Sequence, residues 1–475
     1  MANRYLIVSD LHLADVEDHR DGWKAYKASR FVIDRDFDEL VRESSSRAGP
    51  DDRLTLVLNG DIFDFDVVTA TPDDPPWPVS RFERRRGLRA TAEKSAWKLE
   101  RILADHRGFL ATLARFMAAG HEVVYVLGNH DRELHFPEVQ QVLRVAVAQS
   151  GEERGLDLRG ARLRFEPWFY YRAGEVYVEH GHQYDLYTSF RYQLWPTVKI
   201  GRRECLAIPM GNLSNRYLMT RMGFFNPHAS DYILNMFSYV SHWARHYMFS
   251  RHSLAFAWLW GSLLVMTMLL RQKRKLRTPP PEHERGLRQI ARDYALGDEA
   301  LSALAQLQPK PITSRLFRLM RELWLDRALI ALLMTGGTVA LALVPIPLWV
   351  KLMVPLVCFP LVYLVYEELA RGESIFALEH EIPERARQVA EVLPARFVAF
   401  GHTHVPRLIP LSRETTFVDT GTWAPILDGD GEGGRQLRPG LRNFLSLSFE
   451  GEGPPRVDFG AWTPAGRGGR ERALG

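Results

Sequence analysis

The chain of 475 residues is short of cysteine: Cys205 and Cys358 are the only two, and they lie far apart. That scarcity excludes both a disulfide framework and a cysteine-rich zinc site. The chain also lacks a strong charge of either sign, since 61 Lys and Arg against 57 Asp and Glu leave a net charge of +4. Basic residues gather only locally, at Arg84, Arg85 and Arg86 and from Arg271 through Lys273, Arg274, Lys275 and Arg277. No sustained basic, aromatic-interleaved surface is present, so a nucleic-acid partner is not expected. The local patches suit phosphates or anionic lipid. At the N-terminus the apolar run 5–8 is too short for the core of a signal peptide. No signal peptide is expected, and the cytoplasm is the default compartment.

What the chain does have is a set of short β-rich apolar runs, each ending in a polar cluster. Residues 5–8 lead into Ser9-Asp10-Leu11-His12, and residues 54–58 into Asn59-Gly60-Asp61-Ile62-Phe63-Asp64. Residues 123–127 lead into Gly128-Asn129-His130-Asp131, and residues 176–179 into His180-Gly181-His182. Residues 397–400 end in Gly401-His402-Thr403-His404. Helical patterns fill 31–45 and 88–119, and 383–393 reads as a helix with Pro383 at its start. Alternating strands and helices indicate a layered α/β domain, with chemistry on loops at one edge of a sheet.

Asp10 and His12 are two residues apart, so on an extended segment both would point to one side. Asp61 adds a carboxylate in a tight turn, Asn129 an amide oxygen, and His180, His402 and His404 three imidazoles. Oxygen and imidazole donors without thiolate suit Mn²⁺, Fe or Zn²⁺. A single histidine of this kind is more often a satisfied core or surface residue. Five clusters in order, four of them directly after an apolar strand, are not a coincidence of that kind.

In their order these clusters resemble the motifs of the calcineurin-like metallophosphoesterase superfamily, over residues 1–182 and again over 395–425. The resemblance implies a four-layer α/β/β/α sandwich with two divalent metal ions at the sheet edge. By motif, Asp10, His12, Asp61 and His404 would hold one ion, and Asp61, Asn129, His180 and His402 the other, with Asp61 bridging. Two ions roughly 3.5–4 Å apart lower the pKa of a bridging water and clamp phosphoryl oxygens. The expected reaction is hydrolysis of a phosphoester or pyrophosphate by a metal-bridging hydroxide, with Mn²⁺ first among the candidate metals. His130 is the expected catalytic residue, protonating the leaving oxygen or stabilising phosphoryl charge, with Asp131 orienting it. Asp64, His182 and Asp185 are candidates to support the ligands from behind. Thr420-Gly421-Thr422-Trp423 resembles the superfamily's closing motif, which supports the site without binding metal.

Residues 1–190 and 381–450 thus read as two parts of one core, and 451–475 as a loose tail. Between the parts, residues 191–380 form a helical insertion with three apolar runs, 253–270, 328–350 and 352–366. The second run has 23 residues without a charge, enough to span a bilayer. His180 and His402 meet at one metal, so the chain crosses any membrane an even number of times between them. That excludes three spans and favours 328–367 as a deeply inserted hairpin. Residues 253–270 would then be re-entrant or interfacial, with the basic cluster against anionic headgroups on the cytoplasmic face. The rival is a soluble helical cap whose apolar helices pack on one another or in a dimer.

A phosphoesterase at a bilayer points to a phosphorylated or nucleotide-linked lipid substrate. The pattern His180-Gly181-His182-Gln183-Tyr184-Asp185 resembles the UDP-2,3-diacylglucosamine pyrophosphatase-related group. That group carries Arg where this chain has His130, and lacks so long an apolar insertion. Soluble phosphodiesterases and protein phosphatases would use the same ligands, and a non-catalytic scaffold would be expected to have lost some of them.

Overall fold

The computed structural model describes residues 3–18, 23–47, 49, 52–218, 254–370, 378–428, 436–451 and 453–463. Four parallel strands follow one another in sequence: β1 (Asn3–Val8), β2 (Arg53–Asn59), β3 (Glu122–Val126) and β4 (Arg162–Glu166). Helices connect them: α1 (Asp34–Ser46), α2 (Arg81–Arg86), α3 (Ala92–Asp105), α4 (Arg107–Ala118) and α5 (Pro137–Glu152). The single helical pattern expected over 88–119 is therefore two helices. They break at His106, whose φ of −119° and ψ of 47° leave the helical region.

The second sheet is built from both ends of the core. It contains β5 (Phe169–Arg172) and β6 (Val176–Glu179), then β9 (Phe397–Phe400), β10 (Arg407–Pro410) and β11 (Thr416–Asp419). Between them lies a short antiparallel hairpin, β7 (Thr197–Ile200) with β8 (Arg203–Leu206). The strand order in the second sheet is β10-β11-β9-β6-β5, with β6 and β9 parallel. After a two-stranded ribbon, β12 (Ile426–Asp428) and β13 (Gln436–Arg438), the chain returns to the first sheet as β14 (Asn443–Phe449) and β15 (Arg456–Ala461). The first sheet then reads β15-β14-β1-β2-β3-β4. Residues 456–461 were expected in a loose tail, but they pair antiparallel with β14 over six residue pairs. Residues 464–475 of that tail lie outside the described residues.

Side-chain alternation along the strands creates the layers. Tyr5 and Ile7 of β1 face the second sheet and join Val57, Val124, Val178 and Ala399 in a buried cluster. Leu6 and Val8 face the other way, onto Phe37, Leu99, Phe109 and Leu113 of the helices. The outer face of the second sheet, with Phe169, Val398 and Phe417, also needs a cover. The helix Leu378–Val392 supplies it with Ile382, Ala386 and Val389, and the insertion adds α8 (Pro281–Asp293) and α9 (Asp298–Leu307), with Ile290, Leu301 and Leu304 buried in the same cluster. This is the four-layer α/β/β/α sandwich that the motif order implied.

The rest of the insertion packs as its own layer. Helices α6 (Met210–Tyr217), α7 (Leu254–Lys275) and α10 (Leu316–Glu322) bury Leu213, Tyr217, Val265, Leu269 and Leu319 together. The described part of the apolar run 253–270 therefore has protein against one face: Ser262, Val265 and Leu269 are essentially inaccessible. That face meets the apolar side chains of α6 and α10, while Leu259 and Trp260 remain exposed. Residue 253 lies outside the described residues. Helices α11 (Leu325–Leu343) and α12 (Leu348–Ala370) then form a hairpin turning at residues 344–347. Finally α13 (Leu378–Val392) returns the chain to β9, with Pro383 inside the helix and not at its start.

Candidate metal centre

Parallel strands bring their C-terminal ends to one edge, and the polar clusters collect there. β1, β2 and β3 deliver Asp10, Asp61 and Asn129, while β6 and β9 deliver His180, His402 and His404. The backbone is bent to do this. Among the described residues seven non-glycine residues have positive φ, and five are Asp10 (53°), His12 (49°), Asp61 (52°), His402 (70°) and His404 (63°). Each such residue costs of order 1–3 kcal/mol, a strain that persists where function needs the geometry. Asp10 and His12 therefore converge through left-handed backbone, not through the extended segment expected from their spacing.

Two glycines make room for the ligands. A Cβ on Gly60, itself at φ +75°, would lie 2.5 Å from the His180 ring. A Cβ on Gly128 would lie 2.2 Å from Asp61 Oδ1.

The donor atoms fall into groups with ligand-like separations. Asp10, His12 and His404 form one, with His404 Nε2 3.1 Å from Asp10 Oδ1 and 3.3 Å from His12 Nε2. Asp61, His180 and His402 form another, with His180 Nε2 3.1 Å from Asp61 Oδ2. Adjacent ligand atoms around an ion with bonds of about 2.0–2.2 Å lie about 3.0–3.5 Å apart, so this spacing fits. The buried side-chain oxygen of Asn129 receives no hydrogen bond among the described residues, which is what a ligand atom would show. The site thus fits divalent ions, with Asp10, His12 and His404 brought together in one group and Asp61, His180 and His402 in the other. Bound there, divalent ions supply Lewis acidity, lowering the pKa of a water and offsetting phosphoryl charge.

The protein holds the ligands from behind. His180 Nδ1 donates to the Asn59 carbonyl at 2.9 Å, which turns Nε2 toward Asp61. His402 Nε2 lies 3.2 Å from Asp185 Oδ2 and 3.2 Å from Thr188 Oγ1, leaving Nδ1 as the atom available to a metal. His182 packs its ring 5.4 Å from that of His180 and 6.4 Å from that of His402, and its Nε2 meets Gln183 at 3.1 Å. The closing motif clamps β1: Thr422 Oγ1 and the Trp423 amide both donate to the Asp10 carbonyl, each at 3.0 Å.

Two carboxylates change places relative to expectation. Asp131 does not orient His130. It is fully buried and accepts from the amides of Gly128 (2.6 Å) and Ile62 (2.9 Å) and from the Tyr125 hydroxyl (2.7 Å). Adjacent residues in this turn point apart, so Asp131 organises the loop while His130 faces the site. Asp64 takes the expected role: its Oδ2 lies 3.1 Å from His130 Nδ1 and 3.4 Å from His12 Nδ1. Its Oδ1 accepts from the Asp66 amide at 2.9 Å, so one side chain also stabilises the turn. His12, Asp64 and His130 form a third close group. Burial lowers the pKa of His130, but Asp64, Asp61 and Asp66 outweigh it and hold the group up to about 10. Burial acts on Asp61 in the opposite sense to its neighbours, and His180 and His130 keep it well below the carboxylate range.

Three further residues belong here. Asp66, Arg132 and Asn212 form a buried chain behind Asn129. Asp66 and Arg132 adjoin the motifs, so position alone could have flagged them; Asn212 lies within the insertion and carries no local signal.

Residues 4–208 match the family model described as calcineurin-like phosphoesterase. A comparison with curated proteins gave no match. The clustered Asp, Asn and His donors and this match agree on the chemistry: the chain carries a calcineurin-like phosphoesterase domain and is a metal-dependent phosphoester hydrolase.

Proposed function

We propose that this phosphoesterase works at a membrane surface, cleaving a phosphoester or pyrophosphate bond in a phosphorylated or nucleotide-linked lipid, with Mn²⁺ as its metal. The observation that carries the reading is the hairpin α11–α12. Its two helices are the described ones long and apolar enough to cross a membrane, and almost none of their apolar surface is buried. Leu332, Leu343 and Leu364 are 68%, 83% and 69% exposed. Burying one leucine is worth about 1.5–3 kcal/mol, so a dozen such apolar side chains in water would be a large liability. Helix α11, at 19 residues, is about 28 Å long, close to the thickness of a bilayer core.

The charged residues of the hairpin lie at its two ends: Lys351 near the turn, donating to the Ala342 carbonyl at 2.7 Å, and the others at its base. Arg327 pairs with Glu367 at 2.8 Å, the Tyr363 hydroxyl donates to the Arg327 carbonyl at 2.9 Å, and the Arg327 guanidinium lies 5.3 Å from the Trp324 ring. Aromatic and cationic residues at one end of an apolar element suit a membrane interface. The segment that leads through α10 into the hairpin touches the surroundings of the site: the Ile312 amide donates to the Leu186 carbonyl, next to Asp185. A lipid headgroup held at the interface would then lie close to the metal ligands. A donor set of oxygen and imidazole without thiolate suits Mn²⁺, as it does Fe or Zn²⁺. The basic residues 271–277 favour the cytoplasmic face. The resemblance of residues 180–185 to the UDP-2,3-diacylglucosamine pyrophosphatase-related group supports a lipid-linked substrate, with His130 where that group carries Arg.

The test is a screen of phospholipids, nucleotide-lipids and cyclic nucleotides in detergent with added Mn²⁺, alongside membrane fractionation. Turnover of a lipid-linked substrate by protein that resists high-salt extraction is expected. Release by salt alone, with turnover confined to soluble diesters or phosphoproteins, would establish the soluble-cap reading instead.

A further inference from the structure

A side-chain amide is an ambiguous ligand. Its oxygen binds a divalent cation and its NH₂ does not, yet the two ends are nearly the same shape. Asn129 therefore needs something that decides which end faces the metals. Asn129 Nδ2 donates to Asn212 Oδ1 at 3.3 Å. Asn212 Nδ2 in turn donates to Asp66 Oδ2 at 2.8 Å and to the Asn129 carbonyl at 3.3 Å. Arg132 completes the chain, donating to Asp66 Oδ1 at 2.5 Å, to Asp66 Oδ2 at 2.9 Å and to the Asn129 carbonyl at 2.5 Å. All four side chains are buried, none more than 5% exposed.

The direction of every bond in this chain is set from its far end. Arg132 can only donate, so Asp66 beside it is a carboxylate and can only accept. Asn212 must then present NH₂ to Asp66 and its oxygen to Asn129. Asn129 must answer with its own NH₂, and its oxygen is left as the buried atom without a hydrogen bond. Reversing either amide would set donor against donor or oxygen against carboxylate in a site closed to water, at a cost of about 1–3 kcal/mol for each unsatisfied group.

We propose that Asn212 is a positioning residue for the second metal: the Arg132–Asp66–Asn212 chain sets the polarity of the Asn129 amide so that its oxygen is the atom offered as ligand. Asn212 lies on α6, in the insertion, 83 positions along the chain from Asn129. The insertion thus completes a metal site whose ligands all come from the core. This inference rests on Asn129 being a ligand.

The experiment is a double-mutant cycle read by metal binding and not by turnover. Full-length protein is dialysed against graded Mn²⁺, and bound metal is counted by mass spectrometry, with thermal melting as the check on folding. Asn129→Ala comes first: loss of one ion supports the ligand assignment, and retention of both overturns that assignment independently of Asn212. On the Asn129 background, Asn212→Leu and the milder Asn212→Ala should weaken the second ion by about 10–100-fold, the range for outer partners of ligands. On an Asn129→Asp background the same changes should not weaken it, because a carboxylate has two equivalent oxygens, no polarity to set and no donor for the Asn212 oxygen. Equal loss on both backgrounds would reduce Asn212 to structural support, and no loss on the Asn129 background would remove its role altogether.

Discussion

Asp64 and His130 are held together from two different strand ends: Oδ2 of the carboxylate lies 3.1 Å from Nδ1 of the imidazole, and both are buried. This leaves His130 Nε2 as the edge that can meet a substrate oxygen, and makes Asp64 the group that aims it. His130→Gln should lower kcat on an aryl phosphodiester by about 10²–10⁴-fold, the usual contribution of a positioned acid. Bound metal should stay at the wild-type level. Loss of metal together with activity would make His130 a ligand and not an acid.

Removing Asp61, the carboxylate that the motifs assign to both ions, should do more. Asp61→Ala deletes the carboxylate that pairs with His180 at 3.1 Å and accepts from the His130 amide at 2.7 Å. Turnover should fall by more than about 100-fold, beyond the effect of outer partners, and metal analysis should find fewer ions per chain. Chelation of the wild type should lower its melting temperature, since ligand binding to the folded state at 100 times Kd is worth about 2.7 kcal/mol.

The turn before Asn129 gives a test of space alone. Gly128→Ala places a methyl group 2.2 Å from Asp61 Oδ1, so Asp61 must move. Metal affinity should drop about as far as for loss of an outer partner, 10–100-fold, while circular dichroism stays native. Unchanged binding would mean that the Asp61 position is not critical.

For the hairpin, Leu332→Lys combined with Leu356→Lys puts two charges on its exposed apolar faces. Each lysine at the centre of a membrane span costs about 2.5–3.5 kcal/mol on insertion scales. The variant should fail to float with vesicles of mixed neutral and anionic lipid, yet hydrolyse a soluble aryl phosphodiester at the wild-type rate. Vesicle binding equal to wild type would exclude hairpin insertion.

One pH effect lies away from the metals. Burial raises the Glu83 pKa, but hydrogen bonds from Lys94 and from Ser80 and Arg89 outweigh it and bring it from 4.5 to about 2. Glu83 closes the capping box of α2 and ties that helix to α3. A group with a depressed pKa contributes stability above its unfolded value and loses it as pH falls through the folded value. Stability should therefore decline from about pH 4.5 to about pH 2, and Glu83→Gln should flatten that part of an acid-unfolding curve. A curve of the same shape in the variant would remove the pair from the acid transition.

The metal donors were legible because each sits within a few residues of a strand end, where the chain must turn and polar groups must surface. A local pattern such as Gly-Asn-His-Asp carries that information whatever the rest of the fold does. The partners of those donors were not legible in the same way. Asp131 is next to His130 in sequence yet serves the loop amides, while Asp64, 66 positions earlier, faces the imidazole. Likewise, the run 253–270 reads like 328–350 in hydropathy, but the first meets α6 and α10 while the second meets almost nothing.

By itself, then, the sequence determined the layered α/β core, the donor set and the hydrolytic chemistry, because strand periodicity and turn-borne ligands are properties of short segments. Only the tertiary structure decided which carboxylate aims His130, which apolar helix stays uncovered, and that Asn212 in the insertion reaches Asn129. Those relations depend on which surfaces meet when sheets and helices close over one another, and contacts between residues 66 or 83 positions apart leave no trace in any local pattern.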